Sequence, residues 1–265
     1  MKRAARRKES RRAAREQRNQ SSNVYRIDRK NNSEPFEEFE NAGSWQLSAK
    51  DLKPKNAEQS RYINTIKNSV VTVGTGEPGT GKTFVPAVLG VQEILSAQSD
   101  IEHMILIRPN EPLGKSLGML PGDLASKLEP WLEPIADGVK WAIGDTKNGK
   151  MFKSLVERGV IQHLAIEHAR GRTFNNAFVI LDEAQNVSVE AMMCILTRIG
   201  QDCRLVICGD INQKDIKSDS GLGLLMQIHE EYDYVPFQLV ELTQNVRSPE
   251  SKAFHAIFKD MGLVQ

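Results

Sequence analysis

The stretch VVTVGTGEPGTGKTF, residues 70–84, carries two overlapping signatures for binding a nucleotide. The letters GTGEPG, residues 74–79, are typical of a dinucleotide-binding fold, whereas GEPGTGKT, residues 76–83, is typical of a phosphate-binding P-loop. A dinucleotide fold needs a helix that begins within its glycines and an acidic residue at the end of the second strand. Here Pro78 interrupts the glycines, and the second predicted strand ends in Arg108 and Pro109. The sequence therefore favours the P-loop.

The P-loop interpretation gives a role to each residue of the motif. Glycines let backbone N–H groups turn toward phosphate oxygens, and the following helix N-terminus extends this anion site. The lysine places a cation at the β- and γ-phosphates, and the threonine hydroxyl can bind Mg²⁺. Pro86 falls in the second turn of the predicted helix, where it removes a backbone hydrogen bond. The predicted nucleotide-binding residues are Gly76, Glu77, Pro78, Gly79, Thr80, Gly81, Lys82 and Thr83.

The rest of the chain alternates short β-branched runs with longer amphipathic segments. Strands are predicted at 70–74, 103–108, 161–166, 178–182, 204–209 and 237–242, and helices at 83–97, 124–141, 151–157, 187–199, 222–230 and 249–261. Several strands are apolar throughout, as expected when both faces of a parallel sheet are buried. The pattern predicts an α/β fold with a mostly parallel, doubly wound sheet, whose ligands bind at the carboxyl ends of the strands.

Two strand ends carry candidate catalytic residues. AFVILDEAQN places Asp182 where it can hold Mg²⁺, and Glu183 beside it can orient or deprotonate a water molecule. An isolated Asp-Glu pair at a strand end is also common as a solvated pair. In CGDINQKD, Gln213 is placed to contact both the γ-phosphate and the water, although Gly-Asp after a strand is also ordinary turn chemistry.

The positive charge of the chain is concentrated at its beginning. Residues 1–20 contain nine Lys or Arg and two Glu, a local charge of +7, whereas the whole chain carries +1 and the remainder therefore −6. Residues 1–45 are predicted to form a disordered basic tail, followed by one α/β domain over 46–265. The tail is either a solvated solubilising segment or a nucleic-acid contact, and nine cations favour nucleic acid. The candidate contacts are Arg6, Arg7, Lys8, Arg11 and Arg12.

Composition sets limits on the class of protein. Apolar residues make up 40% and charged residues 26%, which is ordinary for a soluble globular protein. Three cysteines without a Cys-x-x-Cys pair indicate neither a disulfide framework nor a zinc site. No apolar run approaches the ~20 residues of a membrane span, and no signal peptide is evident. We therefore expect a soluble cytoplasmic protein with no membrane partner.

These motifs together resemble the PhoH-like ATPases, which are related to superfamily 1 helicases. The similar segments are GEPGTGKT, RGRTFNNAFVILDEAQN, LTRIG, CGDINQKD and residues 108–135, within about 52–260. The resemblance implies a RecA-like P-loop NTPase domain, ATP with Mg²⁺, and a homo-oligomeric ring, expected to be a hexamer. It implies that Gln59 contacts the adenine edge and that Arg170 and Arg172 lie near the nucleotide or a subunit interface. Arg108 is a third candidate for nucleic acid or the interface.

One segment departs from the family pattern. The family has Asp-Val-Val-Arg near its end, and this chain has Gln-Asn-Val-Arg at residues 244–247. The resemblance therefore implies a charge-stabilising role for Arg247, acting in its own or in a neighbouring chain, without the acidic residue that would support it. The long basic tail also goes beyond the family pattern.

The leading functional hypothesis is an ATP hydrolase that acts on nucleic acid, with RNA favoured over DNA, as a helicase or translocase. Related helicases complete the active site between two RecA-like domains, so the second face is expected from a neighbouring subunit. The alternative is an ATP-gated RNA- or DNA-binding module that remodels complexes without unwinding. A small-molecule P-loop kinase is disfavoured because no lid or acceptor pocket is identifiable.

Overall fold

The computed structural model describes residues 49–109, 124–145 and 149–262. A six-stranded sheet forms the centre, with strand order β3-β2-β4-β5-β1-β6 and parallel pairing throughout. This arrangement confirms the predicted α/β fold class. The predicted basic tail, residues 1–45, lies outside the described residues.

The strands begin and end within two residues of their predicted limits. Their bounds are β1 Val71–Gly76, β2 His103–Arg108, β3 Ile161–Ala165, β4 Ala177–Leu181, β5 Arg204–Gly209 and β6 Gln238–Leu242. β4 is buried along its whole length, as are all but the first residue of β5 and the last of β1. Burial on both faces explains why these strands are continuous apolar runs instead of alternating ones.

Seven α-helices are present in the described part of the chain. They are α1 Ala57–Asn68, α2 Phe84–Leu95, α3 Leu124–Ile143, α4 Lys150–Glu157, α5 Val189–Leu196, α6 Gly221–Glu231 and α7 Pro249–Asp260. Six correspond to predicted helices. The predictions omit α1, whose sequence AEQSRYINTIKN contains few apolar residues. Two features of the sequence indicate this helix. Asn56 is a favourable N-cap residue, and in the structure it accepts a hydrogen bond from the Gln59 N–H; apolar residues also recur at helical spacing from Tyr62 onward.

The helices cover both faces of the sheet. Apolar side chains of α1, α2, α3 and α4 share one core cluster with alternate sheet residues such as Phe178 and Ile180. The intervening residues, such as Val179 and Leu181, pack with α5 and α6 on the opposite face. Because all six strands are parallel, their carboxyl ends meet at one edge. The segments that follow β1, β2, β4 and β5 therefore converge there.

Strand β6 approaches β1 very closely at Gly76. The two strands pair Gly76 with Leu242, and a Cβ added at Gly76 would lie 1.9 Å from the Leu242 carbonyl oxygen. Gly76 also has φ +139°, a conformation that residues with a Cβ rarely adopt. Both observations require glycine where β1 becomes the P-loop.

We predict that Gly76→Ala lowers the free energy of unfolding by at least about 2 kcal/mol, because the methyl group meets backbone and the φ is unfavourable. Gly223→Ala is the matched control in α6, where the added Cβ would have neighbours only at 3.7 Å. It should raise stability by up to about 1 kcal/mol. Urea unfolding followed by circular dichroism measures both, and equal effects at the two positions would contradict the prediction.

Candidate nucleotide-binding site

A cleft of about 950 Å³ lies at the carboxyl edge of the sheet. It brings together residues from the P-loop, from α1, from the ends of β2, β4 and β5, and from the segment after β6. The predicted site residues that line it are Gln59, Pro78, Gly79, Gly81, Lys82, Thr83, Arg108, Asp182, Glu183, Gln213 and Arg247. Sequence motifs separated by up to 188 positions thus form one site.

The P-loop is held in place through its carbonyl groups. Six of the seven carbonyls in residues 76–82 accept hydrogen bonds. The donors come from α1, from β5, from the segment after β6, from the first turn of α2 and from the loop itself. The acceptors are the carbonyls of Gly76, Glu77, Gly79, Thr80, Gly81 and Lys82.

The N–H groups of the same loop are left for a ligand. Gly79 and Gly81 adopt φ +80° and +94°. Glycine adopts positive φ readily because it has no Cβ, whereas other residues rarely do. No N–H of residues 79–82 donates a hydrogen bond within the described ranges of the chain. A concave run of free N–H groups followed by a helix N-terminus is an anion-binding site suited to phosphate.

Lys82 folds back over this loop. Its ammonium group donates to the carbonyls of Gly76 and Glu77, the latter at 2.8 Å. Burial lowers the pKa of Lys82, while nearby carboxylates, Asp210 foremost, act in the opposite direction. A partly desolvated ammonium is a strong partner for a phosphate oxygen, because little water competes with the contact.

Thr83 and Asp182 form a pair of oxygen ligands. The Thr83 hydroxyl donates to Asp182 Oδ1 at 2.8 Å. Asp182 is buried, and this burial raises the pKa of its carboxyl group. A divalent cation bound beside this carboxylate would stabilise its charged form, which burial disfavours. A hydroxyl and a carboxylate are ligands that Mg²⁺ prefers, usually completed by water and substrate phosphates.

The described residues contain no group of three or more His, Cys, Asp or Glu side chains that could hold a metal ion by themselves. A cation at Thr83 and Asp182 would therefore rely on phosphate or water for its other ligands. Within those ranges no helix is both long and apolar enough to cross a bilayer.

Glu183 has an unusual backbone conformation, and its carboxylate is oriented by two side-chain contacts. Its φ of 52° and ψ of 43° lie in the left-handed region, which residues other than glycine seldom adopt. Glu183 Oε2 accepts a hydrogen bond from Gln185 Nε2 at 2.7 Å, and Oε1 lies 3.5 Å from Arg108 Nη2. The two contacts hold the carboxylate in the lining of the cleft.

Gln185 connects two parts of the site and was missed by the sequence analysis. Its Oε1 accepts a hydrogen bond from the Asp210 N–H at 3.0 Å, while its Nε2 binds Glu183. The side chain is almost fully buried. It lies within the quoted motif DEAQN, but residue pattern alone does not show that it bridges the ends of β4 and β5.

Gln59 binds the P-loop directly. Its Nε2 donates to the Thr80 carbonyl at 2.9 Å, and its Oε1 accepts from the Lys55 N–H at 3.0 Å. An amide has a second N–H and a second lone pair, so these bonds leave one donor and one acceptor site on Gln59.

Arg247 lies against the P-loop of its own chain. The neighbouring Val246 N–H donates to the Gly79 carbonyl at 2.8 Å. A Cβ added at Gly79 would lie 2.8 Å from the Cδ of Arg247. Asn245 Oδ1 accepts from the Arg247 N–H at 2.8 Å, so Asn245, which stands where the family pattern has its first Val, supports the backbone at this point.

The remaining candidates differ in where they lie. Gln213 is exposed at the cleft, and its N–H donates to the Asp210 carbonyl. Arg170 and Arg172 are exposed and are not among the residues that line the cleft. The candidates of the basic tail, Arg6, Arg7, Lys8, Arg11 and Arg12, are outside the described residues.

The raised pKa of Asp182 predicts a pH-dependent effect on stability. Between the ordinary value of 3.8 and the raised one, the folded chain binds more protons than the unfolded chain. The stability from this group is therefore present at low pH and lost as pH rises through the folded pKa. Asp182→Asn removes the buried charge but keeps an oxygen that can accept from Thr83.

We predict that Asp182→Asn raises the free energy of unfolding at pH 7, because it removes a carboxylate whose charged form is disfavoured by burial. The gain should shrink as the pH approaches 4. Urea unfolding across this range measures it, with the exposed Asp233→Asn as a control that should show little change. A variant less stable than the parent at pH 7 would contradict this account.

Comparison with known proteins places the chain in a family. The family model described as "PhoH-like protein" matches residues 51–259, which include every residue lining the cleft. The chain is 38% identical over 200 residues to a PhoH-like protein of Synechocystis, covering 75% of this chain and 59% of that protein. It is 34% identical to a PhoH-like protein of Bacillus subtilis, covering 83% and 68%.

Protein PhoH of Escherichia coli is 33% identical over 71% of this chain and 53% of its own length. The chain thus spans between about half and two thirds of these relatives. A crystal structure of Pif1 helicase from Candida albicans aligns with a TM-score of 0.40 and 13% identity, over 79% of this chain and 44% of that one. That similarity is too low to bear on function. The family match and the identities show that this chain is a member of the PhoH-like protein family.

Proposed function

We propose that this chain is a Mg²⁺-dependent ATP hydrolase that acts on nucleic acid. The observation that carries the proposal is the P-loop itself. Its carbonyls are bound by the protein, the N–H groups of residues 79–82 have no partner among the described residues, and the loop lines one cleft with Lys82, Asp182 and Glu183. This arrangement suits the triphosphate of a nucleotide, because the loop N–H groups and Lys82 match phosphate oxygens, Asp182 matches a metal ion and Glu183 matches a water molecule.

Binding of the triphosphate would use the loop and Lys82 together. Phosphate oxygens accept from the free N–H groups of residues 79–82 and from the N-terminus of α2. The Lys82 ammonium exchanges its carbonyl partners, Gly76 and Glu77, for β- and γ-phosphate oxygens. A charged oxygen is the stronger partner, so the exchange favours the bound state.

Mg²⁺ fits the oxygen pair of Thr83 and Asp182. When bound, it neutralises charge that develops on the β- and γ-phosphate oxygens. The Thr83 hydroxyl that donates to Asp182 Oδ1 can rotate to present its lone pair to a cation.

Glu183 is the proposed general base. Its carboxylate is oriented by Gln185 and faces Arg108, so it is held ready to accept a proton from the attacking water. The same Gln185 binds the backbone at Asp210, which adjoins the segment that carries Gln213. The contact of Arg108 with Glu183 favours a role in hydrolysis over the nucleic-acid or interface role expected from the sequence.

Arg247 and Gln59 complete the proposed nucleotide contacts. The position of Arg247 against Gly79 supports charge stabilisation within its own chain. The donor and acceptor sites that remain on Gln59 match the N6 and N7 groups of adenine. ATP is therefore our proposed nucleotide.

The nucleic-acid partner and the assembly are proposed from the sequence. The +7 charge of residues 1–20 suits a phosphate backbone, and we propose RNA in preference to DNA. We further propose a hexameric ring in which the exposed Arg170 and Arg172 lie at or near the subunit interface. The mass of the assembled particle tests the ring, and a monomer at working concentration would exclude it.

We predict that Lys82→Ala and Glu183→Gln separate binding from hydrolysis. Lys82→Ala removes the fixed cation, so ATP affinity should fall at least about tenfold and turnover should be lost. Glu183→Gln keeps the size and hydrogen bonding of the side chain but removes the base. It should bind ATP normally while turnover falls by about 100-fold or more.

Isothermal titration and phosphate release measure the two effects on the same preparations. Unchanged turnover in Lys82→Ala would exclude the P-loop assignment. If Glu183→Gln lost binding and turnover together, Glu183 would be holding structure or metal instead of acting as the base.

We predict that the basic tail contributes to nucleic-acid affinity through phosphate contacts. Deleting residues 1–20 should leave basal ATP turnover intact but weaken binding to single-stranded RNA. If the tail contacts five or six phosphates, the negative slope of log K against log salt should become shallower by about 4 units on deletion, because each phosphate contributes about 0.7. A full-length variant with the nine tail cations replaced by Gln is the matched control for charge, and it should behave like the deletion.

Parallel salt-dependence lines for parent and deletion would show that the tail does not touch the phosphate backbone.

Measuring strand separation and ATP turnover on the same duplex distinguishes unwinding from ATP-gated binding. Turnover without separation would favour the gated module.

A further inference from the structure

Pro86 leaves a gap in the hydrogen bonding of α2 directly behind the P-loop. It is the third residue of the helix, so it lies in the first turn instead of the predicted second turn. On either side of it the backbone bonds are intact, from the Val85 N–H to the Gly81 carbonyl at 3.0 Å and from the Ala87 N–H to the Thr83 carbonyl at 3.2 Å. Proline has no N–H, so the Lys82 carbonyl lacks its helical donor.

Two buried side chains supply the missing donor. The Tyr62 hydroxyl donates to the Lys82 carbonyl at 3.0 Å, and the Cys208 thiol lies 3.2 Å from the same oxygen. Burial raises the pKa of both groups well above their ordinary values, so both keep their protons at neutral pH. A phenol is a much stronger donor than a thiol, and Tyr62 is therefore the principal partner.

Tyr62 reaches the loop because strand β1 has a glycine, and therefore no side chain, at the point where the ring crosses it. The ring crosses over Gly74, where an added Cβ would lie 2.5 Å from the hydroxyl oxygen and 2.7 Å from the ring. Gln59 lies three residues earlier on α1 and binds the Thr80 carbonyl. One face of α1 thus holds two carbonyls of the P-loop, at Thr80 and at Lys82.

The carbonyl of Lys82 and the N–H of Thr83 belong to one planar peptide unit, in which they point in opposite directions. A carbonyl fixed toward the buried Tyr62 therefore turns the Thr83 N–H away from the core. The same peptide unit lies between the ammonium-bearing residue and the hydroxyl-bearing residue of the motif. Its orientation influences where both side chains are placed.

We propose that Tyr62 is a positioning residue for the P-loop, whose hydroxyl replaces the helical hydrogen bond that Pro86 removes and so sets the peptide between Lys82 and Thr83. The consequence for ATP rests on the proposed function. The consequence for the loop itself does not, because the hydrogen bond is present in the chain without a nucleotide.

The test combines Tyr62→Phe with Pro86→Ala. Tyr62→Phe keeps the buried ring but removes the donor, so we expect ATP affinity to fall about tenfold. Pro86→Ala alone provides a reference, since it adds a backbone N–H at a carbonyl that already has a donor. In the double variant the new N–H can bond to the Lys82 carbonyl, and affinity should return to within about twofold of the Pro86→Ala reference. Tyr234→Phe, at an 85% exposed tyrosine, is the matched control.

Hydrogen exchange of the nucleotide-free protein gives an independent measurement. Amides of residues 83–85 and of Ala87 should exchange faster in Tyr62→Phe and return toward the reference in the double variant. If the parent failed to bind ATP, the proposed function would fail, yet exchange would still test the role of Tyr62. Unchanged exchange in Tyr62→Phe, or a loss that Pro86→Ala does not reverse, would overturn the inference.

Discussion

A loop that binds phosphate through its backbone N–H groups leaves its carbonyls for the hydrogen bonds that hold it in place. In this chain that constraint accounts for elements that otherwise look unrelated. Helix α1, the segment after β6, the thiol of Cys208 and the side chain of Lys82 all approach the loop from its carbonyl side. The close contact of Gly76 with Leu242 has the same effect, because it joins the start of the loop to the edge strand. The loop is prearranged before any ligand arrives.

Parallel strand pairing explains why the other half of the site forms beside this loop. The ends of β2, β4 and β5 meet at one edge, which brings Arg108, Glu183 and Asp210 within reach of one another. Gln185 joins two of these ends through its amide, so the position of Glu183 depends on the end of β5 as well as its own strand. The strained backbone at Glu183 is maintained by this surrounding network.

Sequence reasoning located the six strands, the P-loop and the Asp-Glu pair, because each has a local signature of apolar runs, glycines or charged residues. It missed α1, whose polar composition conceals its buried face of Tyr62, Ile63 and Ile66. It also missed Gln185 and Tyr62 as members of the site. Their partners are a backbone N–H and a backbone carbonyl far along the chain, and residue identity carries no information about such contacts before the chain is folded.

The buried position of Cys208 makes its chemistry depend on motion of the chain. The thiol is inaccessible and its raised pKa keeps the reactive thiolate scarce, so an alkylating reagent can reach it only when α1 and the loop separate from β5. Cys194, which is only partly buried, should react without such an opening. The ratio of the two alkylation rates therefore reports how often α1 and the loop separate from β5, and under which solution conditions they stay together.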